Sequence, residues 1–191
     1  MIGKIFVISA PSGAGKTSLV KALLNRMGNT HQLRRVVTYT SKAPRPGDRS
    51  GVDYHFVTPD EFEQKVQDNF FMEWSDAYGA YYGSPRNILD EIKKGTSFVV
   101  ILDRAGARQV VEQTDRVVPI WIAPPSIEVL EQRLRSRATE TEEQIKRRLV
   151  IATQEIAQER SDDLYKYHVI NDVFDEAVND LEKIVLDELN N

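Results

Sequence analysis

A loop with the sequence APSGAGKTS at positions 10–18 carries the residues whose spacing most clearly indicates chemistry. The phosphate-loop pattern requires Gly, four residues and then Gly-Lys-Ser/Thr, and this chain has Gly15-Lys16-Thr17 with Ala10 where the first Gly usually stands. In such a loop the backbone N–H groups bind phosphate oxygens, the lysine reaches the β- and γ-phosphates, and the hydroxyl binds Mg²⁺. An ordinary strand-to-helix turn with a solvated lysine is the alternative, and it does not explain Lys-Thr after the second Gly. The predicted contacts to a nucleoside triphosphate and its metal are Ala10, Pro11, Ser12, Gly13, Ala14, Gly15, Lys16, Thr17 and Ser18.

A second set of polar residues lies in two segments, TYTSKAPRPGDRSGVDY at 38–54 and FMEWSDAYGAYYGSP at 71–85. Glu73 can accept hydrogen bonds from the N1–H and the exocyclic amine of a guanine, which presents two adjacent donors. The alternative is that the tyrosines stabilise a small sheet and that Glu73 is a surface carboxylate beside Trp74. The donors that suit a dianionic monophosphate are Lys42, Arg45, Tyr54, Tyr82 and Ser84.

The elements that must position these residues follow an α/β pattern. Apolar runs of strand length at 4–10, 97–102 and 117–123 alternate with segments of helical period, and residues 168–171 form a weaker fourth run. This alternation predicts a parallel sheet of about five strands, flanked by helices on both faces, with the phosphate loop after the first strand.

Several helix boundaries are marked by capping residues. Thr58 and Thr141 each begin a capping box, with a Glu or Gln three residues later. Ser84-Pro85 predicts the start of another helix, which ends at Gly95 after two lysines. Residues 174–189 predict a closing helix with an apolar stripe.

The length of 191 residues favours a single domain. Residues 35–83 contain three of the eight prolines and five of the seven tyrosines, without the long helix that a further strand-helix-strand unit needs. We therefore expect a core at about 1–34, 85–134 and 150–191, a small mixed α/β insertion that binds the acceptor at about 35–84, and a lid at about 135–149.

Composition excludes several classes of protein. With 41% hydrophobic and 28% charged residues, the chain is neither disordered nor fibrous. The formal net charge of -4 lacks the basic character of sequence-independent nucleic-acid binding. The absence of cysteine excludes disulfides, thiolate zinc sites and cysteine nucleophiles, and no apolar run approaches the length of a membrane span. We expect a cytoplasmic protein that acts on small molecules, not on nucleic acid or membranes.

Taken together, these motifs resemble those of the guanylate kinase family, whose members transfer a phosphoryl group from ATP to GMP. The resemblance runs nearly end to end. It rests on the phosphate loop, the acceptor segment at 38–54, Glu73 with YYGS at 81–84, an apolar strand that ends in Asp103, PPS at 124–126 and a lid segment at 133–148.

The resemblance implies a role for each matching residue. The GMP site would consist of Thr38, Lys42, Arg45, Tyr54, Glu73, Tyr82, Gly83 and Ser84. Arg45, Tyr54 and Tyr82 would hold the phosphate of GMP, whereas Thr38, Glu73 and Ser84 would read the base. Asp103 would lie near Mg²⁺ together with Thr17. Lys16, Arg137 and Arg148 would be catalytic, with the two arginines closing over the transferred phosphoryl group; the alternative for this pair is solvent-facing charge balanced by nearby glutamates.

Four positions depart from the family pattern. Lys42 replaces an arginine, which exchanges a bidentate phosphate contact for a point charge. Asp103-Arg104-Ala105 lacks the second acid of the family's Asp-x-Asp, Ala138 replaces a lid glycine, and Val173 replaces an aspartate. Two alternatives therefore remain: a related kinase for another small phosphate such as a ribose bisphosphate, and a non-catalytic binding module, against which Gly15-Lys16-Thr17 argues.

Overall fold

Two sheets and seven helices make up the part of the chain that the computed structural model describes, residues 2–28, 30–77, 79–136 and 141–191. Among these residues, no helix is both long and apolar enough to cross a membrane. In chain order the elements are β1 (Ile5–Ser9), α1 (Lys16–Met27), β2 (Leu33–Arg35), β3 (Tyr39–Thr40), β4 (His55–Phe56), α2 (Pro59–Gln67), β5 (Phe71–Ala77), β6 (Ala80–Pro85), α3 (Ile88–Lys93), β7 (Ser97–Ile101), α4 (Arg104–Val111), β8 (Val117–Ala123), α5 (Ile127–Ser136), α6 (Glu142–Arg160), β9 (Tyr167–Ile170) and α7 (Phe174–Asn190).

The larger sheet is parallel and has the strand order β2-β7-β1-β8-β9. All five residues of β1 are buried, because helices cover both faces of the sheet at its centre. The four predicted strands are confirmed as β1, β7, β8 and β9. The fifth strand, β2, was not identified from the sequence, because it has only three residues and two of them are arginines.

Two apolar clusters hold the helices against this sheet. Phe6 and Ile8 point to one face, where they pack with the buried stripes of α1 and α7. Ile5 and Val7 point to the other face, where they pack with α3 and α4. This arrangement confirms the predicted α/β class with helices on both faces of a parallel sheet.

The smaller sheet has the order β4-β3-β6-β5 and is mixed, since β3 pairs parallel with β4 and antiparallel with β6. Its own core is aromatic: the Phe62 ring of α2 stacks on Phe71 and Tyr81 at centroid distances of 4.5 and 5.2 Å. The Cα atom of Gly83 faces this cluster, because a Cβ there would lie 2.9 Å from the Phe71 ring.

Both predicted capping boxes are present, at Thr58 before α2 and at Thr141 before α6. The helix start predicted at Ser84-Pro85 is wrong. Ser84 pairs with Glu73 across the β5–β6 ladder, and Pro85 ends β6. The helix itself, α3, begins at Ile88 and ends before Gly95. A proline at a strand end removes no ladder hydrogen bond that the sheet needs, so the same dipeptide fits both structures.

Candidate active site

The phosphate loop connects the carboxyl end of β1 to the first turn of α1. Gly13 and Gly15 have φ angles of 94° and 95°, in the left-handed region that other residues rarely adopt. At Gly13 an added Cβ would also lie 3.0 Å from the side chains of Leu130 and Leu134. These two glycines are therefore required by the path of the backbone.

Asn171, which directly follows β9, holds the phosphate loop through a side-chain hydrogen bond. This residue is buried, and its amide Nδ2 donates a hydrogen bond to the Ala14 carbonyl over 2.7 Å. The same atom leaves no space for a side chain at Gly15, where a Cβ would approach it to 2.4 Å. The loop is therefore held in shape by the protein itself.

Lys16 and Arg148 reach the loop from two directions. The Lys16 ammonium lies over the loop, where it donates to the carbonyls of Ala10 and Pro11 at 2.6 and 3.2 Å. Arg148 extends from α6 and donates to the Ser12 hydroxyl at 3.2 Å. The helix α6, which begins within the predicted lid segment, thus brings a guanidinium to the phosphate loop. Arg137, the other predicted lid arginine, lies outside the described residues, as does Ala138.

One cavity of about 310 Å³ contains residues from both predicted binding regions. Four residues of the prediction are buried and do not line it: Pro11 and Ala14 under the phosphate loop, and Gly83 and Ser84 within β6. Ser75, Ala77, Ile101, Leu102 and Glu155 line it and were not predicted. The predicted residues that the structure brings together there are Ala10, Ser12, Gly13, Gly15, Lys16, Thr17, Ser18, Thr38, Lys42, Arg45, Tyr54, Glu73, Tyr82, Asp103 and Arg148.

Glu73 lies on the inner face of β5, only 2% exposed. Burial raises its pKa from 4.5 to about 7; the nearby Ser84 hydroxyl opposes this shift, whereas the negative charge of Asp103 adds to it. Neither Oε1 of Glu73 nor Oγ of Ser84 has a hydrogen-bond partner among the described residues. Buried polar atoms are normally satisfied, so this pair has the character of a site that a ligand completes.

Two glutamine side chains, one on α4 and one just after it, hold the backbone of the strand that carries Glu73. The Gln109 side chain accepts a hydrogen bond from the Trp74 N–H at 3.2 Å and donates one to the Trp74 carbonyl at 2.8 Å. Gln113 donates to the Met72 carbonyl on the other side of Glu73. Gly106 allows α4 to come this close, because a Cβ there would lie 2.6 Å from Glu73 Oε2. The core thus fixes the position of the buried carboxylate.

Asp103 joins the same assembly. One of its carboxylate oxygens caps α4 by accepting from the Gly106 N–H at 2.7 Å, and the other accepts from the Ser75 hydroxyl at 2.6 Å. Its charge contributes to the raised pKa of Glu73. Asp103 therefore lies at the same end of the cavity as Glu73.

Cationic and phenolic groups line the opposite side of the acceptor region. Lys42 lies 3.5 Å from the Asp48 carboxylate and 5.5 Å from the centre of the Tyr54 ring. The backbone N–H of Arg45 donates to Asp48 at 2.9 Å, and this contact is the main reason why the pKa of Asp48 is lowered. Burial raises the pKa of Tyr54 and of Tyr82, so both phenols stay protonated and can donate hydrogen bonds.

The described residues contain no group of three or more His, Asp or Glu side chains that could hold a metal ion by themselves. A hydroxyl at the first turn of α1, that of Thr17, faces the cavity instead. This donor set suits a metal that is bound mainly by phosphate oxygens and water, as Mg²⁺ usually is in phosphoryl-transfer sites. The residues present therefore fit a metal that arrives with the nucleotide.

Comparison with known proteins agrees with this geometry. Residues 2–188 match the family model described as guanylate kinase. The chain is 45% identical over 184 residues to the guanylate kinase of Nitrosospira multiformis, a match that covers 96% of this chain and 85% of that protein. It is 39% identical over 187 residues to the guanylate kinase of Idiomarina loihiensis, covering 97% and 87%.

The chain belongs to the guanylate kinase family. In agreement, a crystal structure of guanylate kinase from Anaplasma phagocytophilum matches all of this chain and 88% of that one, with a TM-score of 0.79 and 29% identity. The predicted family and fold are therefore confirmed.

The departures from the guanylate kinase pattern now have structural positions. The family motif Asp-x-Asp-x-Gln-Gly ends at Gly106, and Asp103 accepts a hydrogen bond from the Gly106 N–H. Counted back from this glycine, Asp103 occupies the position of the motif's second acid and Ile101 occupies that of the first. The expectation that the second acid is missing is therefore corrected. Val173 precedes α7 and leaves that helix without a side-chain cap, which an aspartate would provide.

Sequence reasoning missed Asn171, Ser75 and Gln109 as parts of this guanylate kinase site. Asn171 ends the run at 168–171, and a polar residue at the carboxyl end of a parallel strand is a signal that could have identified it. Ser75 lies two residues after Glu73 and so shares its face of β5, a signal that needs the strand boundaries. Gln109 has no comparable signal, because its role depends on how α4 packs against β5.

Proposed function

We propose that this chain is an ATP:GMP phosphotransferase that transfers the γ-phosphoryl group of ATP to GMP and releases ADP and GDP. The observation that carries the proposal is that the phosphate loop and Glu73, a buried glutamate whose Oε1 has no partner among the described residues, line the same cavity. The family supports this activity, because the curated relatives at 39–45% identity are named guanylate kinase. Neither a sugar-phosphate kinase nor a binding module is favoured.

ATP would bind with its phosphates on the loop from Ala10 to Ser18. The left-handed conformation of Gly13 and Gly15 lets the loop curl so that backbone N–H groups can bind phosphate oxygens, and the N-terminus of α1 adds its partial positive charge. Lys16 would move from the loop carbonyls to the β- and γ-phosphates. Thr17 would hold Mg²⁺, which supplies charge neutralisation at the phosphate oxygens.

GMP would bind with its base at Glu73 and its phosphate at the cationic side. An ionised Glu73 accepts from the N1–H and the exocyclic amine of guanine, and Thr38, which lines the cavity, provides a hydroxyl for the remaining base edge. Ser84 is buried next to Glu73 on the paired strand and would act on the base through that carboxylate. Lys42, Arg45, Tyr54 and Tyr82 would bind the phosphate. Asp103 was expected at the metal, but its contacts with Ser75 and Gly106 beside Glu73 favour a role at the base.

The transfer itself requires positioning and charge stabilisation. A phosphate oxygen of GMP forms a bond to the γ-phosphorus, and the bond from that phosphorus to the bridging oxygen of ADP breaks. Arg148, which already contacts Ser12, would stabilise the charge on the transferred group, and we expect the same of Arg137. The acceptor oxygen is ionised at neutral pH, so no catalytic base is needed. Closure of the lid excludes water, which would otherwise act as the acceptor.

An acceptor panel tests the proposal. ADP release from ATP and Mg²⁺ is measured with GMP, dGMP, AMP, UMP, CMP or a ribose phosphate, against a blank without acceptor. We expect turnover with GMP and dGMP alone. Turnover with the ribose phosphate but with none of the nucleotides would replace this proposal by the sugar-phosphate alternative.

A further inference from the structure

A second cavity of about 220 Å³ adjoins the phosphate side of the acceptor region. It shares Thr17, Thr38, Lys42, Arg45, Tyr54 and Ile101 with the larger cavity. Its lining also contains Arg35, a cation that neither the motifs nor the family resemblance assigns to any role. This cavity therefore places a third cationic side chain next to the two that are predicted to bind the acceptor phosphate.

Arg35 lies on β2 and comes from the parallel sheet of the core, not from the small sheet. Along this strand Leu33 is buried, Arg34 is exposed and Arg35 is partly buried. Alternation along a strand sends neighbouring side chains to opposite faces, so Arg35 points into the cavity whereas Arg34 points away from it. Arg35 is partly buried on this edge strand of the sheet, and an anionic partner stabilises such a cation, because removing an unpaired charge from water is costly.

The described residues give Arg35 only one hydrogen bond, from Nη2 to the carbonyl oxygen of Asp53 at 3.2 Å. None of their carboxylates lies within ion-pair distance of it, although two acids line the same cavity. Asp48 is paired with Lys42, and Asp53 is paired with Arg49. A guanidinium has five N–H donors, so most of the hydrogen-bonding capacity of Arg35 is available to an anion.

The positive charge of Arg35 affects Tyr54, one of the residues predicted to bind the acceptor phosphate. Burial raises the pKa of Tyr54, and the largest opposing influence is the positive charge of Arg35, ahead of that of Arg45. Arg35 is also tied to the carbonyl of the residue before Tyr54. Arg35 therefore lies next to the residues that are predicted to bind the acceptor phosphate.

We propose that Arg35 is a further binding residue for the phosphate group of the acceptor and supplies the guanidinium that Lys42 lacks. Lys42 is a point charge at a position where the family pattern has an arginine, and a lysine cannot make a bidentate contact with phosphate oxygens. Arg35, on β2, would provide a planar guanidinium for this bidentate contact. This inference rests on the proposed function, because it takes the acceptor to be a nucleoside monophosphate.

The first test distinguishes an effect on binding of the phosphate from an effect on binding of the base. Binding of GMP and of guanosine is measured by calorimetry for the wild type and for Arg35→Ala, and KM values for GMP and ATP are measured in parallel. We expect Arg35→Ala to weaken GMP binding about tenfold or more, the effect of removing a hydrogen bond to a charged group. Guanosine binding and the KM for ATP should change less than about twofold. Arg34→Ala, one residue away on the exposed side of β2, is the matched control and should behave like the wild type.

The second test distinguishes the charge of Arg35 from its hydrogen bond to the Asp53 carbonyl. Arg35→Gln keeps a donor for the Asp53 carbonyl but removes the charge, so it should resemble Arg35→Ala. Adding Lys42→Arg to Arg35→Ala should recover most of the lost GMP affinity, because it returns a guanidinium to the family position. This recovery would not occur if Arg35 only held the turn before Tyr54.

Three results would overturn the assignment of Arg35: unchanged GMP binding in Arg35→Ala, an equal loss for GMP and guanosine, or wild-type behaviour of Arg35→Gln. If Arg35→Ala does not fold, the GMP and guanosine affinities of Arg35→Gln alone test the assignment. Failure of the proposed function is distinguishable, since the wild type itself would then show no turnover with GMP.

Discussion

The donor and acceptor halves of the cavity are built in different ways. The phosphate loop is held by contacts within the protein, such as the bond from Asn171 to Ala14 and those from Lys16 to the loop carbonyls. The acceptor half contains buried polar atoms without partners, at Glu73 and Ser84. Burying such atoms without partners costs free energy, which a ligand that hydrogen-bonds to them offsets. We therefore infer that the phosphate loop is preformed, and that the choice of acceptor depends on the half that contains Glu73.

The largest effect should come from the donor half. We expect Lys16→Ala to abolish detectable turnover, because we assign this lysine to the β- and γ-phosphates of ATP. The melting temperature should stay near that of the wild type, since α1 keeps its buried stripe. Lys21→Ala, on the exposed side of the same helix, is the control. Comparable activity of Lys16→Ala and Lys21→Ala would refute the role of Lys16.

Arg148 should affect the chemical step more than the binding of either substrate. We expect Arg148→Ala to lower kcat by about 10³, the lower range for removal of an arginine that stabilises transferred phosphoryl charge. Arg147→Ala is a close control, because Arg147 is its neighbour on α6 and is exposed with Glu143 as its partner. An unchanged kcat together with a raised KM would mean that Arg148 binds nucleotide without acting in the transfer.

In the acceptor half, Glu73→Ala should raise the KM for GMP about 100-fold, the loss of two hydrogen bonds to a charged group, and should leave the KM for ATP within about threefold. Steady-state kinetics with each substrate varied in turn measures both values. Glu112→Gln, an exposed glutamate at the end of α4, serves as the control. Equal changes in the two KM values would contradict the separation of the halves.

The pKa of Glu73 predicts a pH dependence of GMP binding. The carboxylate must be ionised to accept from guanine, and burial raises its pKa to about 7. The KM for GMP should therefore rise as pH falls from 8 to 6, by about tenfold in all. Glu73→Gln should abolish this component and leave only the titration of the GMP phosphate. A wild-type profile that matches that of Glu73→Gln would contradict the raised pKa.

The same shift has a consequence for stability. The folded state holds a proton on Glu73 between its ordinary pKa of 4.5 and about 7, where the unfolded chain has released it. The free energy of unfolding should therefore decrease as pH rises through this window. Denaturant unfolding of the wild type and Glu73→Gln at pH 5 and pH 8 measures this: relative to the variant, the wild type should be less stable at pH 8. No change in their difference would show that Glu73 is not desolvated.

The smallest effect should come from Gln109, which positions the strand without facing the cavity. We expect Gln109→Ala to raise the KM for GMP about threefold, with the KM for ATP unchanged, because two backbone hydrogen bonds beside Glu73 are lost. Gln64→Ala on the exposed surface of α2 is the control. An equal effect on both KM values would show that Gln109 supports overall stability and has no specific role at the acceptor.

The sequence predicted local features better than contacts between distant elements. The phosphate loop and both capping boxes were predicted because their signals are local, lying within a few residues of each other. The start of α3 was misplaced at Ser84-Pro85, since a strand end and a helix start use the same residues. Asn171 and Gln109 act through contacts between distant elements, which no local pattern contains. The double role of Asp103, as a helix cap and as a neighbour of Glu73, likewise depends on the packing of α4 against β5.

The most direct test of the central claim follows the transferred phosphoryl group. The protein is incubated with GMP, Mg²⁺ and ATP labelled at the γ-position, and the products are separated. We predict that the label appears in the β-position of GDP, with one GDP formed for each ADP. Release of the label as inorganic phosphate without GDP would show that the acceptor half does not bind GMP and would contradict this account.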